Sequence, residues 1–227
     1  MIQSTSLPTL VQRELERLIL TGEIAAGSKL NEIPIAERLG VSRGPVREAF
    51  RALQESGLVR LEKNRGVFVR ELALDEADEL YELRAVLDEH VGRRLARSLS
   101  AADIAELRSR VADMEKCAAR NDVAAYVAAN LGFHDRLVEL AGNRKLLETY
   151  RRLVNELRLV RHAALARAGA LAMSTSEHRE IVNRIAAGKP AAAGRALQEH
   201  ALVGRERMHV AFDSPNPPPD HPTRKTT

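Results

Sequence analysis

The N-terminal third of the chain alternates between helical and β-prone patterns. Residues 9–21 place four apolar side chains on one face of a predicted helix: Leu10, Leu15, Leu18 and Ile19. A second, shorter helix is predicted over 34–39, and Gly40 is suited to end it. A third helix follows Ser42, a residue type that caps helix N-termini.

The third predicted helix separates an apolar face from a basic face. The apolar face consists of Val46, Phe50, Leu53 and, after a stop at Gly57, Leu58. The basic face consists of Arg43, Arg47 and Arg51. Two β-prone runs, 58–61 and 67–70, then flank "EKNRG", where Gly66 can adopt the backbone angles that a tight hairpin needs. Three helices followed by a hairpin predict a winged helix-turn-helix.

Beyond a short linker at 71–75 the β-prone pattern disappears and six helical patterns follow. They cover roughly 75–99, 101–119, 123–141, 144–168, 175–187 and 190–211. The closing stretch "DSPNPPPDHPTRKTT" is rich in proline and polar groups, and we expect it to be disordered. The predicted fold is mainly α. A winged helix-turn-helix with a small β-hairpin wing (1–73) precedes an all-helical six-helix bundle (74–212) and a tail (213–227).

Composition supports a helical protein of the cell interior. Only 3% of the residues are aromatic, and tryptophan is absent. The single cysteine, Cys117, cannot form an internal disulfide, so we interpret it as a small apolar group on its helix. The sequence shows neither a cleavable leader nor a long apolar run. We expect a soluble, cytoplasmic protein without a membrane partner.

The basic charge is concentrated in one segment. The net charge is +4, and residues 42–70, with seven basic and three acidic side chains, carry that whole excess. In a helix-turn-helix, the N-terminal side chains of the second helix of the motif meet base edges in the major groove. The residues at that end are Ser42, Arg43, Gly44, Pro45 and Arg47, and the wing tip has Arg65 and Gly66. A solvated helix face is the alternative, but helix order, spacing and wing together favour double-stranded DNA.

Three histidines fall in three different predicted helices: His134, His178 and His200. Neutral imidazoles bind zinc, nickel and similar ions, and helices of a bundle can bring such ligands to one interior point. Asn130 lies one turn before His134 on the same helix face and could complete the set. Spacing alone nevertheless favours ordinary core or surface histidines, since no pair has a compact ligand spacing.

Two parts of the chain resemble known bacterial domains. The stretch "KLNEIPIAERLGVSRGPVREAFRALQESGLVRLEKNRGVFV" resembles the winged-helix domain of the GntR family of transcription regulators. The helical part, with "ELYELRAVLDEHVGRRLA" and "NLGFHDRLVELAGNRKL", resembles the FCD ligand domain of the FadR-type subgroup, and together they cover roughly 9–210. The resemblance implies a homodimer that binds a short, near-palindromic operator and responds to a small metabolite.

The resemblance implies that five residues contact DNA: Ser42, Arg43, Arg47, Arg65 and Gly66. Family members often carry a basic residue on the preceding helix, where this chain has Ile33 and Pro34. We therefore do not expect the usual contact between that helix and the DNA backbone.

The resemblance also implies a metal site. Many FCD domains hold a divalent ion through three histidines and an acidic residue one helical turn before the first of them. The histidines match here, whereas the acidic position is Asn130. An amide oxygen can coordinate but brings no charge, so we expect weaker binding of zinc, nickel or manganese, or water at that position.

An open coordination position in a helical cavity would take the carboxylate of a small organic acid. Arg84, which matches a recurrent FCD arginine, would pair with that effector. The alternative is a surface arginine paired with Asp88, one turn along the same helix. We interpret Asn143 in "AGN" as a helix-end residue.

These inferences predict a DNA-binding transcription regulator, and not an enzyme. It would be a repressor whose operator affinity is controlled by a small carboxylate at a metal-containing pocket. Two alternatives stay open at this point: a regulator that senses the metal itself, and a metal-dependent hydrolase. The hydrolase is disfavoured because no HExxH or similar pairing of base and ligands is present.

Overall fold

The computed structural model describes residues 6–213, apart from the side chains of residues 162 and 163. Within that range the elements follow the predicted order. They are α1 (Leu7–Leu20), β1 (Lys29–Leu30), α2 (Glu32–Leu39), α3 (Arg43–Glu55), β2 (Val59–Glu62), β3 (Gly66–Val69), α4 (Leu74–Ser98), α5 (Ala101–Ala119), α6 (Val123–Leu140), α7 (Arg144–Leu165), α8 (Ala170–Ala186) and α9 (Pro190–Asp213).

A small antiparallel sheet completes the winged helix. Its strand order is β1-β3-β2, with Arg60 and Lys29 both opposite Phe68. The hairpin between β2 and β3 turns through Asn64 and Gly66, whose φ angles are 63° and 112°. The predicted wing is therefore confirmed. Strand β1 was not predicted, because two residues are too short to show an alternating pattern.

The buried face of α1 differs from the prediction at one position. The buried residues are Val11, Leu15, Leu18 and Ile19. The prediction for Leu10 is wrong, since it is 49% exposed. Leu10 lies about 100° around the helix from Val11, outside the stripe formed by positions four, seven and eight residues apart.

The apolar face of α3 matches the prediction. Val46, Phe50 and Leu53 are buried, and Leu58 joins the same cluster after the chain turns at Gly57. This cluster also receives the apolar residues of α1 and the sheet. Because the core residues of α3 lie on one side, its arginines are left on the exposed side.

The six predicted helices of the second part form one bundle with a shared core. Cys117 is buried in this core at the end of α5, as predicted for a small apolar group. Asn143 was predicted to be a helix-end residue, and it caps the N-terminus of α7: it accepts hydrogen bonds at 3.1 Å from the amides of Lys145 and Leu146.

Helices α4 and α9 pack backbone against backbone at two glycines. A β-carbon added at Gly92 would lie 2.5 Å from the carbonyl oxygen of Ala193, and one at Gly194 would lie 2.9 Å from the carbonyl oxygen of Glu89. Only glycine permits this approach, so the two helices have little freedom to slide past each other.

The break between α7 and α8 is shorter than predicted. Helix α7 ends at Leu165 and not at 168, while α8 begins at Ala170 and not at 175. The hydroxyl of Thr175 donates to the carbonyl of Leu171 at 2.7 Å, so this polar side chain is bonded within the helix and does not break it. At the other end α9 runs to Asp213, one residue into the predicted tail, and 214–227 lie outside the described residues.

Helix α7 joins the bundle to the winged helix. Leu159 packs against the cores of both parts. Arg70, directly after β3, donates to Glu156 at 2.7 Å, and Arg158 donates to Glu16 of α1 at 3.3 Å. A displacement of α7 would therefore act on both α1 and the segment that follows β3.

Candidate functional site

The N-terminal end of α3 presents the predicted DNA-contacting residues on an exposed surface. Ser42 is exposed at the N-cap position, and its hydroxyl caps no backbone amide. The side chains of Arg43 and Arg47 are 56% and 54% exposed. Gly44 has open space where a β-carbon would be, next to Pro45 in the first turn. This end can approach another surface closely and offers unpaired amides to an anion.

Glu32, at the start of α2, holds both arginines of this surface. Its carboxylate accepts from Arg43 at 2.9 and 3.1 Å and from Arg47 at 3.0 Å. Hydrogen bonds from Arg47 and then Arg43 lower the pKa of Glu32, so it stays ionised. On this helix the sequence pointed only to Ile33 and Pro34, and Glu32 was not predicted because its role depends on the angle between α2 and α3.

The wing tip is a second basic surface. Arg65 is 72% exposed, forms an ion pair with Glu62, and lies with its guanidinium 5.5 Å from the centre of the Phe68 ring. The amine of Lys29 lies 5.9 Å from the same ring. Gly66 permits this packing, because a β-carbon there would lie 3.1 Å from Lys29 Cε. The cleft between the wing and α3 is lined by Lys29 and Arg65 on one side and Arg43 on the other.

Three histidines converge at the centre of the bundle. His134 of α6, His178 of α8 and His200 of α9 are all buried. The Nε2 atom of His134 lies 3.1 Å from Nε2 of His178 and 3.1 Å from Nε2 of His200. Nitrogen ligands about 2.0–2.1 Å from one ion lie roughly 3 Å apart, so these two distances are those expected of ligands that share a metal, and all three ligand atoms lie within 4.8 Å of one another.

Partners on the far side of two rings fix which nitrogen points inward. His178 donates from Nδ1 to the carbonyl oxygen of Ser174 at 2.5 Å. His200 donates from Nδ1 to the carboxylate of Glu177 at 2.6 Å, and Glu177 is itself held by Arg207 at 2.5 and 3.0 Å. Both Nε2 atoms therefore carry lone pairs toward the centre, which is the usual arrangement of a metal-binding histidine.

The three imidazoles are neutral. Burial lowers the pKa of His134, His178 and His200 well below the ordinary value, and the charge of Arg84 lowers those of His134 and His200 further. The Nε2 atoms of His178 and His200 carry lone pairs and no proton, so they cannot donate to each other, and the N–H of Arg84 lies near His134 only. A divalent cation satisfies all of them, so the residues present fit a metal ion.

Asn130 lies where a fourth ligand could act. It is buried on α6, and its Oδ1 atom is 3.1 Å from Nε2 of His178. The sequence-based expectation that Asn130 and His134 share one helix face is confirmed. All four donors of this set are uncharged, so an ion held here would keep its full positive charge.

Arg84 of α4 lies beside the histidines and not on the surface. Its exposed fraction is 1%, and its Nη2 atom lies 3.2 Å from Nε2 of His134. The pairing with Asp88 is present at 3.1 Å, but the alternative of a surface ion pair is wrong because both residues are buried. Tyr150 donates to Asp88 at 2.8 Å. Burial raises the pKa of the Asp88 carboxyl, and the nearby guanidinium of Arg84 opposes this.

A small cavity adjoins the histidines. Its volume of about 10 Å³ has room for about one water molecule. Three arginines from three different helices line it: Arg84, Arg161 and Arg207. Of the three, only Arg84 was predicted, because nothing in the spacing of the arginines on α7 or α9 distinguishes those that face inward.

Residues 9–69 match the model of the bacterial regulatory proteins of the gntR family, and residues 79–202 match the FCD domain. The chain belongs to the GntR family. It is a DNA-binding transcriptional regulator, and the prediction that it is not an enzyme is confirmed.

Relatives of this GntR regulator carry regulatory names. It is 32% identical over 194 residues to a protein of Paenarthrobacter nicotinovorans named "Probable D-xylose utilization operon transcriptional repressor", covering 82% of this chain and 81% of that one. It is similar in structure to a GntR transcriptional regulator from Rhodococcus sp. RHA1, with a TM-score of 0.73 and 31% identity over 91% of this chain and 99% of that one.

The fold recurs at lower identity. The E. coli protein McbR/YncC has a TM-score of 0.78 at 19% identity, covering 92% of this chain and all 100% of that one, and this likeness concerns the fold alone.

Within residues 6–213 of the GntR regulator, no helix combines the length and apolar character needed to cross a bilayer.

Proposed function

We propose that this GntR regulator is a repressor whose affinity for its operator is controlled by a small carboxylate bound beside a metal ion. The observation that carries the proposal is the convergence of three neutral imidazoles: the Nε2 atom of His134 lies 3.1 Å from that of His178, 3.1 Å from that of His200, and 3.2 Å from the buried guanidinium of Arg84. A divalent ion such as zinc, nickel or manganese would be held by His134, His178, His200 and Asn130. Such an ion supplies positive charge that attracts a carboxylate.

The N-terminal part would bind DNA. We assign operator contact to residues 1–73, through Ser42, Arg43, Gly44, Pro45 and Arg47 in the major groove and Arg65 and Gly66 at the wing tip. Support comes from their exposure and from the open approach at the end of α3. Arginines at such an end can bind the O6 and N7 atoms of guanine.

The helical part, residues 74–212, would bind the effector and join two copies. A near-palindromic operator needs two recognition helices at a fixed separation, which a homodimer supplies. Leu83 and Val86 on α4 are 47% and 61% exposed, so this helix offers apolar surface to a second copy. Size-exclusion chromatography with light scattering tests this part, and a monomer at micromolar concentration would contradict it.

The first test measures metal and operator binding together. An operator is selected from a random DNA library with the full chain, and the metal content of untagged protein is measured. Operator affinity is then followed by fluorescence anisotropy in the presence of small carboxylic acids. We expect a bound divalent ion and at least one acid that weakens operator binding. Protein that binds the operator equally with and without every acid contradicts control by a carboxylate.

A metal sensor remains the second candidate, because the same histidines would serve it. That function predicts an operator affinity that follows the concentration of free metal without any acid. Titration of metal-depleted protein with zinc or nickel separates the metal sensor from the carboxylate-controlled repressor. If metal alone changes the operator affinity as much as metal with acid, the ion is the signal.

A further inference from the structure

Arg161 of α7 is a buried cation. It is 8% exposed, and it forms neither a hydrogen bond nor an ion pair with the side chains that the structure describes, which leave out those of residues 162 and 163. Burial, and then the charge of Arg84, lowers the pKa of Arg161 to about 10, so the side chain is still protonated at neutral pH. An unpaired buried charge is costly, and natural proteins rarely keep one without a use.

The other two arginines of the cavity are each paired. Arg84 lies 3.1 Å from Asp88, and Arg207 lies 2.5 Å from Glu177. Three guanidinium groups thus face two carboxylates, while the four proposed metal ligands are neutral. The cavity has one positive charge in excess, and a divalent ion would raise the excess to three.

We propose that the effector carries at least two anionic groups and that Arg161 binds the second of them. This inference rests on the proposed function, in which the first carboxylate meets Arg84 and the metal. A small diacid would neutralise the excess charge, whereas a monoacid would leave Arg161 unpaired in the bound state. A charge-assisted bidentate pair with a carboxylate is the arrangement that a buried guanidinium favours.

The present cavity is smaller than any organic acid, so binding must displace part of its wall. On the far side of Ala164 and Arg207 lies a groove of about 320 Å³ at the α7–α8 corner. Ala164 is one turn from Arg161 on α7. A diacid that enters through this groove therefore meets Arg161 as it reaches the histidines.

The test compares acids of equal chain length that differ in one carboxylate. Full-length protein with its metal is titrated by calorimetry with three pairs: propionate and malonate, butyrate and succinate, and valerate and glutarate. We expect at least one diacid to bind about tenfold or more tightly than its monoacid. In Arg161→Met that preference should shrink to less than threefold, and Arg161→Lys should keep part of it.

A second measurement checks Arg161 without any acid. Because Arg161→Met removes an unpaired buried charge, it should raise the melting temperature of the acid-free protein. Arg84→Met should lower it, since Asp88 loses its partner. Arg152→Met, at an 80% exposed position of the same helix, is the matched control and should change little. A lower melting temperature for Arg161→Met would make Arg161 a structural residue and overturn the inference.

The outcomes separate this inference from the proposed function. If monoacids bind as tightly as diacids, the second anchor is wrong while control by a carboxylate stands. If neither series binds, both the carboxylate effector and the second anchor are wrong.

Discussion

Arg158 of α7 lies 3.3 Å from Glu16 of α1, and both side chains are more than four-fifths buried. One helical turn further along α7, Arg161 lines the cavity beside the histidines. A single helix thus contacts the cavity and the first helix of the DNA-binding part. A ligand that moves α7 would act on both, so α7 is the contact route between the cavity and α1, and coupling follows if the ligand binds one position of α7 more tightly than another.

Glu16→Gln should weaken that coupling. The variant keeps the shape of the side chain but removes the ion pair with Arg158, so a shift of α7 is transmitted less fully to α1. We expect the ratio of operator Kd values with and without a saturating acid to fall several-fold, while the affinity for the acid alone changes little. Glu14→Gln is the control, since Glu14 pairs with Arg17 on the exposed side of α1. An unchanged ratio in Glu16→Gln would exclude this ion pair from the coupling.

Glu32→Gln should loosen sequence discrimination. Glu32 holds Arg43 and Arg47 in one orientation, and its charge opposes phosphate groups. Without that carboxylate we expect tighter binding to random duplex and a smaller ratio between operator and random DNA, measured by anisotropy over a range of salt. Glu37→Gln removes the same charge from α2 without freeing either arginine. If both variants behave alike, Glu32 acts only through its charge.

Arg47→Ala should cost operator affinity at particular base pairs. Loss of one arginine contact to a base edge is worth about 1–3 kcal/mol. Binding measured against a set of single-base operator variants should therefore lose discrimination at one or two positions. Uniform weakening across all variants would identify Arg47 as a phosphate contact.

His178→Ala should lower metal content and thermal stability together. The substitution removes one of three converging nitrogens and the bond to Ser174. Metal analysis and melting curves of the variant and of His90→Ala, at an exposed position of α4, make the comparison. Full metal content in His178→Ala would remove it from the site.

Metal-stripped protein should lose stability as the pH falls below about 6.5. The pKa values of the three buried histidines are lowered in the folded state, so the unfolded chain binds protons first. Stability is therefore fully present above the unfolded pKa and declines below it, by up to about 1.4 kcal/mol per pH unit for each histidine. Urea unfolding at pH 7.5 and 5.5 measures the effect. His200→Gln should reduce the slope, and an unchanged slope would show that other groups cause it.

The exposed basic face of α3 could be predicted from sequence because its signals are local. Arg43 and Arg47 are four residues apart on a helix whose apolar face is evident. Gly40 precedes this helix and Gly57 follows it, so its limits are also evident. Glu32 was not predicted, because it lies eleven residues from Arg43 and fifteen from Arg47 in sequence. Its contacts with them depend on how α2 and α3 cross.

The interior site could be predicted only in part. The histidines and Arg84 were identified through a resemblance, since residues on different helices carry no mutual spacing. Arg161 is one of several arginines on α7, and only packing separates it from the exposed Arg152. Glu177 and Arg207 were missed for the same reason.

The closed cavity also affects how fast the effector can bind. Gly92 and Gly194 hold α4 tightly against α9, and the groove at the α7–α8 corner adjoins the cavity, so we expect the wall to yield on the α7–α8 side. An acid can then bind only during the fraction of time that this side is open, which lowers both its association rate and its apparent affinity by that fraction. The speed with which the regulator responds to its signal would be set by the opening of two helices and not by diffusion of the acid.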